Sequence, residues 1–433
     1  MEARETQGAP LGVRLAIALA AALGVLGLMQ VVGSLSPELV VRKDFVQDWM
    51  LGRAVLDGLD PYTMLPKLYA RYQAGAQAFP QPSPHPPPMV LVMLPLGLLS
   101  LRGAATLWLF VGVGSLVTAA VVALRAVGAR PSPMQIALGA LCAAAWFPIA
   151  EELVLGQLTA PLTLLLTLSW VALRSGRPVR GGLLLGASIA FKLLGWPLVV
   201  ILLLRRQVKA AFVAGAAAGA LNLATLPILG FEGLLRYYTA TASLGSALYR
   251  GHVYNFSPYS LGFKLFEGTG STALYGVHAA PFVDAPGLAG PAAAACLLAA
   301  VGAGVLVATR ARSIDAAFGV GVCTSVVAGP IAWSPYLVAL IPVAVILWAA
   351  WRDGRLGRPR LAAGAVAVLL VPRSWLVALL DVGTSGPPEI PVVHPAVTLV
   401  SWLPLVGVAL LILAVSSMGG LEPGHGSRPV AKG

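Results

Sequence analysis

Between Asp44 and Tyr62 the chain reads DFVQDWMLGRAVLDGLDPY, which sets four carboxylates (Asp44, Asp48, Asp57, Asp60) into nineteen residues of a 433-residue sequence holding only 17 Asp and Glu. Much further on, Lys192 interrupts the apolar stretch Gly181–Leu204. A lysine at membrane depth costs about 3 kcal/mol on insertion scales unless it is paired or wetted, so it reads as a functional group, with snorkelling to the interface as the plainer alternative. An ammonium so placed suits the phosphate of a lipid-linked substrate. His85 stands ahead of Pro86-Pro87-Pro88. Those prolines fix its backbone, and its ring is a candidate hydrogen-bonding partner for a phosphate or a sugar. The loop from Arg250 to Ser260 adds Arg250 as a second phosphate contact, and His252, Asn255 and Ser257 among aromatic rings, a mixture that suits sugar binding. Gln157, close to Glu151 and Glu152, and Tyr336 in the turn Trp333-Ser334-Pro335-Tyr336 complete the candidate binding residues. A polar hairpin cap and an interfacial aromatic belt explain these last two places as well on residue types alone.

Asp44 has its own competing reading. With Gln47 it matches a capping box at the start of an amphipathic interfacial helix that Gly58 would end. Asp48, one turn on, either shares a site with Asp44 or faces water. Asp57 reads as solvated, and Asp60-Pro61-Tyr62 as a turn.

The elements that hold these residues follow from composition. With 58% hydrophobic and 11% charged residues and a mean hydropathy of +0.84, the chain has too little polar surface to cover a water-soluble fold, and it reads as an all-α polytopic integral membrane protein. The run Leu11–Val32 is a retained span. The net charge of +12 comes from basic clusters in short loops, which positive-inside bias explains without nucleic acid. Three scattered cysteines, Cys142, Cys296 and Cys323, indicate neither a disulfide framework nor a metal site.

Placing the basic loops in the cytoplasm gives about twelve crossings of ~20 residues or fewer, with both termini inside. Met89–Leu99 is too short to cross and reads as re-entrant or interfacial. Gly181–Leu204 reads as a hairpin of two short helices turning at Phe191-Lys192. Asp44–Tyr62, His85, Gln157, Lys192, Arg250–Ser260, Tyr336, and Asp381 with His394 then all fall on the outer side. Arg42 and Lys43 are the exception, basic residues left outside beside the acids. Residues 1–230 would form a catalytic module with its first outer loop at 35–102, residues 231–416 an outer loop and further spans, and 417–433 a disordered cytoplasmic tail. There is no Walker, dinucleotide, HExxH or Gly-x-Ser-x-Gly motif, so energy must come with the substrate.

Taken in order, Asp44-Phe45 with Trp49, Gly58 and Asp60-Pro61-Tyr62, then Pro86-Pro87 before Met93-Leu94-Pro95-Leu96, Gly156-Gln157, Gly182–Lys192, Asn255-Phe256-Ser257 and Trp333-Ser334-Pro335-Tyr336 resemble the polyprenyl-phosphate-sugar-dependent glycosyltransferases of the GT-C superfamily. Within it, the chain resembles glycosyltransferase family 87, which includes mycobacterial mannosyl- and arabinofuranosyltransferases. The resemblance implies a multi-pass cell-membrane enzyme that moves a sugar, mannose or a pentose, from a polyprenyl phosphate to a lipid or glycan acceptor on the extracytoplasmic face, with inversion. Asp44 would be the general base and Lys192 would meet the donor phosphate. No metal or cofactor is expected beyond the lipid-linked donor itself, and the partners are that donor, the acceptor and membrane lipids. Leu193 and Pro335 depart from the family, which commonly shows Pro directly after the hairpin Lys and His near the second position. The rival reading is a secondary transporter or flippase, which should show paired interrupted segments in both halves. A non-catalytic scaffold would leave Lys192 unexplained.

Overall fold

Long apolar runs rich in Ala and Leu, broken by Gly and Pro, satisfy their backbone groups internally only as helices, and in a membrane that requirement is strict. The computed structural model describes residues 11–72, 80–269, 278–372 and 394–419, and among them no strand forms, although an isolated antiparallel bridge joins Leu356 and Met418. The protein is an all-α polytopic membrane protein. Among the described residues five helices are long and apolar enough to cross: Leu11–Gly33, Leu101–Ala126, Pro286–Arg310, Ser334–Arg352 and Pro395–Ser416. Two bent pairs raise the number to seven if each is one span: Pro133–Ala144 with Phe147–Leu155, bent by 84°, and Val208–Leu223 with Leu226–Tyr249, bent by 108°.

Twelve crossings were expected, and the difference lies in helix length. Thr159–Arg174 has 16 residues and Ile314–Val327 has 14. A 16-residue helix rises about 24 Å, short of a hydrocarbon core of roughly 30 Å. The stretch expected as a hairpin is two helices, Pro178–Lys192 and Trp196–Leu204, broken at Leu193, whose φ is +38°. Proline, fixed near −65°, could not adopt that conformation.

One end of the bundle is knitted by basic side chains. Arg174 pairs with Asp315 at 3.6 Å, and Arg205 donates to the carbonyls of Ala308, Thr309 and Ala311. Arg352 reaches the carbonyl of Val127. Each of these cations sits at a helix C-terminus or binds the last carbonyls of a neighbouring helix, where it offsets the dipole. Helices Thr159–Arg174 and Pro178–Lys192 leave this end antiparallel, tied by Ser169 Oγ donating to Gly181 O at 2.8 Å. Gly156-Gln157 and Lys192 are thereby carried to the opposite end.

At that opposite end lies Phe45–Leu56, expected to float at the interface with one apolar face. Nine of its twelve residues are buried, Gln47 and Asp48 among them. It is covered by the short helix Pro88–Gly97, and the crossing is close because Gly52 and Gly97 meet backbone: a Cβ on Gly52 would stand 2.0 Å from Met93 O, and one on Gly97 2.7 Å from Arg53 N. Gly52→Ala is expected to push the two helices apart and destabilise the protein by about 1–3 kcal/mol, read as a lowered midpoint in thermal unfolding of the detergent-solubilised protein. An unchanged midpoint would mean that the contact is not tight.

Lys43, the anomalous outer lysine, is buried, and burial lowers its ammonium to about 8. It donates to Ser34 Oγ at 2.6 Å and to the carbonyls of Leu153 and Val154, at the C-terminal end of Phe147–Leu155. Its position answers a helix end and not a membrane side. Arg42 is exposed. His394 accepts from Ala396 N at the start of Pro395–Trp402, and Asp381 lies outside the described residues.

Candidate active site

Asp44 occupies the N-cap position of Phe45–Leu56 but makes no capping hydrogen bond. Its Oδ2 instead accepts from Gln157 Nε2 at 2.5 Å. Gln157 Oε1 in turn accepts from Lys192 Nζ at 3.2 Å, and the same ammonium stands 4.1 Å from the ring centroid of Tyr336. Four residues far apart in sequence thus form one row, carboxylate to amide to ammonium to aromatic face. All four are half-buried: each is packed by protein yet keeps part of its surface exposed.

Local sequence explains the placement. Gly156 ends Phe147–Leu155 in the left-handed conformation (φ +68°), and a Cβ there would stand 2.8 Å from Phe45 Cβ. Trp108 Nε1 donates to Gly156 O at 3.0 Å while its ring stacks on Phe45 at 5.7 Å. The residue before Gln157 is therefore pressed against the residue after Asp44. Lys192 is set by the break at Leu193, and Tyr336 by the turn at Trp333, whose carbonyl accepts Tyr336 N at 2.9 Å.

Behind the row, Asp48 Oδ1 and His85 Nδ1 are 2.5 Å apart and both residues are buried. The backbone of the His85 segment is pinned by tyrosines: Tyr62 Oη donates to His85 O at 2.9 Å and Tyr237 Oη to Pro84 O at 2.6 Å. Burial raises the Asp44 carboxyl above its ordinary range, and the charge of Asp48 adds to that. The hydrogen bond from Gln157 and the charges of His85 and Lys192 act the other way.

A family model for glycosyltransferase family 87 matches residues 84–330, more than half of the sequence. The chain belongs to glycosyltransferase family 87. No curated protein and no solved structure matches it. Membership makes the protein a membrane glycosyltransferase of the GT-C type. The matched stretch holds His85, Gln157 and Lys192, while Asp44, Asp48 and Tyr336 lie outside it and join the site only through the contacts above.

The remaining candidates in this family 87 glycosyltransferase are placed differently. Arg250 pairs with Glu267 at 3.2 Å and lies 4.4 Å from the Phe263 ring centroid, so its charge is answered there and not at the row. His252 is buried, with ring centroids 5.2 Å from Trp333 and 6.2 Å from Tyr249, and Tyr249 is within electrostatic reach of Asp44. Asn255 and Ser257 are fully buried and bonded to backbone. Asp57 binds Tyr72 Oη at 2.7 Å, and Asp60 accepts from Tyr62 N in its turn and pairs with Arg236.

Two neighbours escape a sequence reading. Tyr69 and Tyr249 both lie within electrostatic reach of Asp44, yet they sit in ordinary helical contexts with no signal to mark them. Glu152, which reads equally as a cap or a ligand, is buried, and its Oε1 accepts Ala160 N at 2.6 Å at the start of Thr159–Arg174. It is a helix cap in this structure. Among the described residues no group of three His, Cys, Asp or Glu is arranged to hold a metal ion.

Proposed function

We propose that the protein transfers a sugar, mannose or a pentose, from a polyprenyl monophosphate to a lipid or glycan acceptor on the extracytoplasmic face, with inversion. The observation that carries this reading is the row itself: a carboxylate and an ammonium held by one glutamine, each with part of its surface exposed. In the proposed step the Asp44 carboxylate takes the proton of the acceptor hydroxyl as its oxygen attacks the anomeric carbon. The bond from that carbon to the phosphate oxygen breaks, and its electron pair leaves on the carrier phosphate. Lys192 meets the charge developing there. A base within hydrogen-bond reach and a fixed cation at the leaving oxygen are the two demands of such a displacement. Asp48 and His85, both buried and paired with each other, back the base from behind the row. The outer assignment is supported by the basic end of the bundle lying opposite the row.

The test is direct. Purified protein in sealed proteoliposomes is given polyprenyl monophosphate carrying radiolabelled mannose or arabinose together with a lipid extract as acceptor. Label moving to the acceptor with release of polyprenyl phosphate is the expected result. Label that stays on the carrier with both sugars, while the intact donor crosses the bilayer, would instead identify a flippase.

A further inference from the structure

Asn255 is expected from its type to touch a sugar, yet its side chain has nothing left to offer one. Nδ2 donates to Tyr249 O and to Pro330 O, both at 3.0 Å. Oδ1 accepts from Ser257 N at 3.0 Å and from Ala332 N at 2.9 Å. A carboxamide has two donor hydrogens and two acceptor sites, and all four are used. The residue is completely buried. Its neighbours reinforce the same contact: Phe256 N donates to Ala332 O at 3.0 Å, and Ser257 Oγ donates to Gly329 O.

The segment grasped in this way, 329–332, runs directly into the turn that presents Tyr336. Trp333 lies between, packed against Tyr249 and His252 with ring centroids 5.8 and 5.2 Å away. The grasping loop is anchored from below by Lys264, which is completely buried and donates to Val253 O, Asn255 O and Ser401 Oγ. A buried ammonium is costly unless its donors are used, so a lysine spent on these three oxygens fixes the loop as a rigid support.

We propose that Asn255 is a positioning residue for Lys192. It holds the 329–332 segment, which sets the Tyr336 ring, and that ring holds the ammonium at 4.1 Å. The proposal deepens the reading of Lys192 as the phosphate contact and rests on it for its functional meaning, but the mechanical chain can be measured without any sugar transfer.

The readout is the rate at which acetic anhydride labels Lys192 in the full-length protein in detergent, quantified by mass spectrometry against the exposed Lys209 as internal reference. Tyr336→Leu is expected to raise that rate about threefold, the scale of one cation–π contact. Asn255→Asp, which keeps the acceptors for Ser257 N and Ala332 N but loses both donors, should give a similar rise alone and none on top of Tyr336→Leu. That non-additivity marks a residue acting through another. Ser257→Ala, a milder change to the same grasp, should repeat the pattern if the Asn255→Asp variant does not fold. An equal rise in both backgrounds, or none in the otherwise unchanged protein, overturns the proposal. Donor KM should rise in step with labelling. If the unaltered protein transfers no sugar from any carrier, the phosphate role falls while the labelling result still decides the positioning role.

Discussion

Asp44→Asn is expected to lower sugar transfer by about 10²–10⁴-fold, the usual loss when a general base is removed, while leaving expression and membrane insertion intact. The substitution is nearly isosteric, and an Asn oxygen can still accept from Gln157 Nε2, so the row keeps its shape. Stability should not suffer. Burial raises the Asp44 carboxyl in the folded protein, so the native state holds its proton to higher pH than the unfolded chain does. Stability contributed by this group is therefore present at low pH and is lost as pH rises through the raised value, and a neutral amide removes that penalty. The expected outcome is an inactive protein that melts no lower than the parent at neutral pH, a separation typical of a strained active site. The same shift makes a kinetic prediction. The acid limb of kcat/KM for the parent should lie above the ordinary carboxylate range, since that limb reports the base in the free enzyme. Retained transfer by Asp44→Asn, or an acid limb within the ordinary range, would remove Asp44 as the base.

How much of this was legible beforehand depends on what each residue contrasts with. Asp44, Lys192 and Gln157 stand out because each is polar beside long apolar runs, and the cost of placing such groups there is visible in one dimension. Their convergence is not. It depends on a left-handed glycine at 156 pressed against Phe45 and on a helix break at Leu193, and neither contact follows from spacing. Asp44 and Gln47 fit a capping box by type, but the Asp44 side chain goes to Gln157, because a tertiary partner outcompeted the local one. Asn255 shows the opposite failure. Its residue type suggested a ligand contact, while its four bonds serve the chain. The all-α membrane class was plain from hydropathy, whereas the number of spans was not. Short and bent helices read the same as full crossings when only apolar length is counted, and Lys43 read as a misplaced topology signal until its carbonyl partners on Phe147–Leu155 were visible.

Lys192→Ala is expected to lower kcat/KM for the donor by about 10²–10³-fold, the loss typical when one preorganised donor to a developing charge is removed. The geometry says how that loss should divide. Lys192 is held by an amide oxygen and a π face, and no carboxylate pairs with it among the described residues. Its direct partners are therefore neutral, which leaves the ammonium able to meet an incoming phosphate. The carrier phosphate gains negative charge as the sugar departs, so the ammonium should bind the leaving group more strongly than the intact donor. Both kcat and donor affinity should fall, and inhibition by free polyprenyl phosphate should weaken more than binding of the donor does. Because no ion pair is broken and Gln157 can still bond Asp44, the fold should survive. Lys192→Arg keeps the charge but spreads it over a planar fork that does not match the compact clasp, so only partial recovery is expected. If Lys192→Ala slows turnover but leaves inhibition by polyprenyl phosphate unchanged, the lysine does not meet the phosphate, and the row would have to be read from its carboxylate end alone.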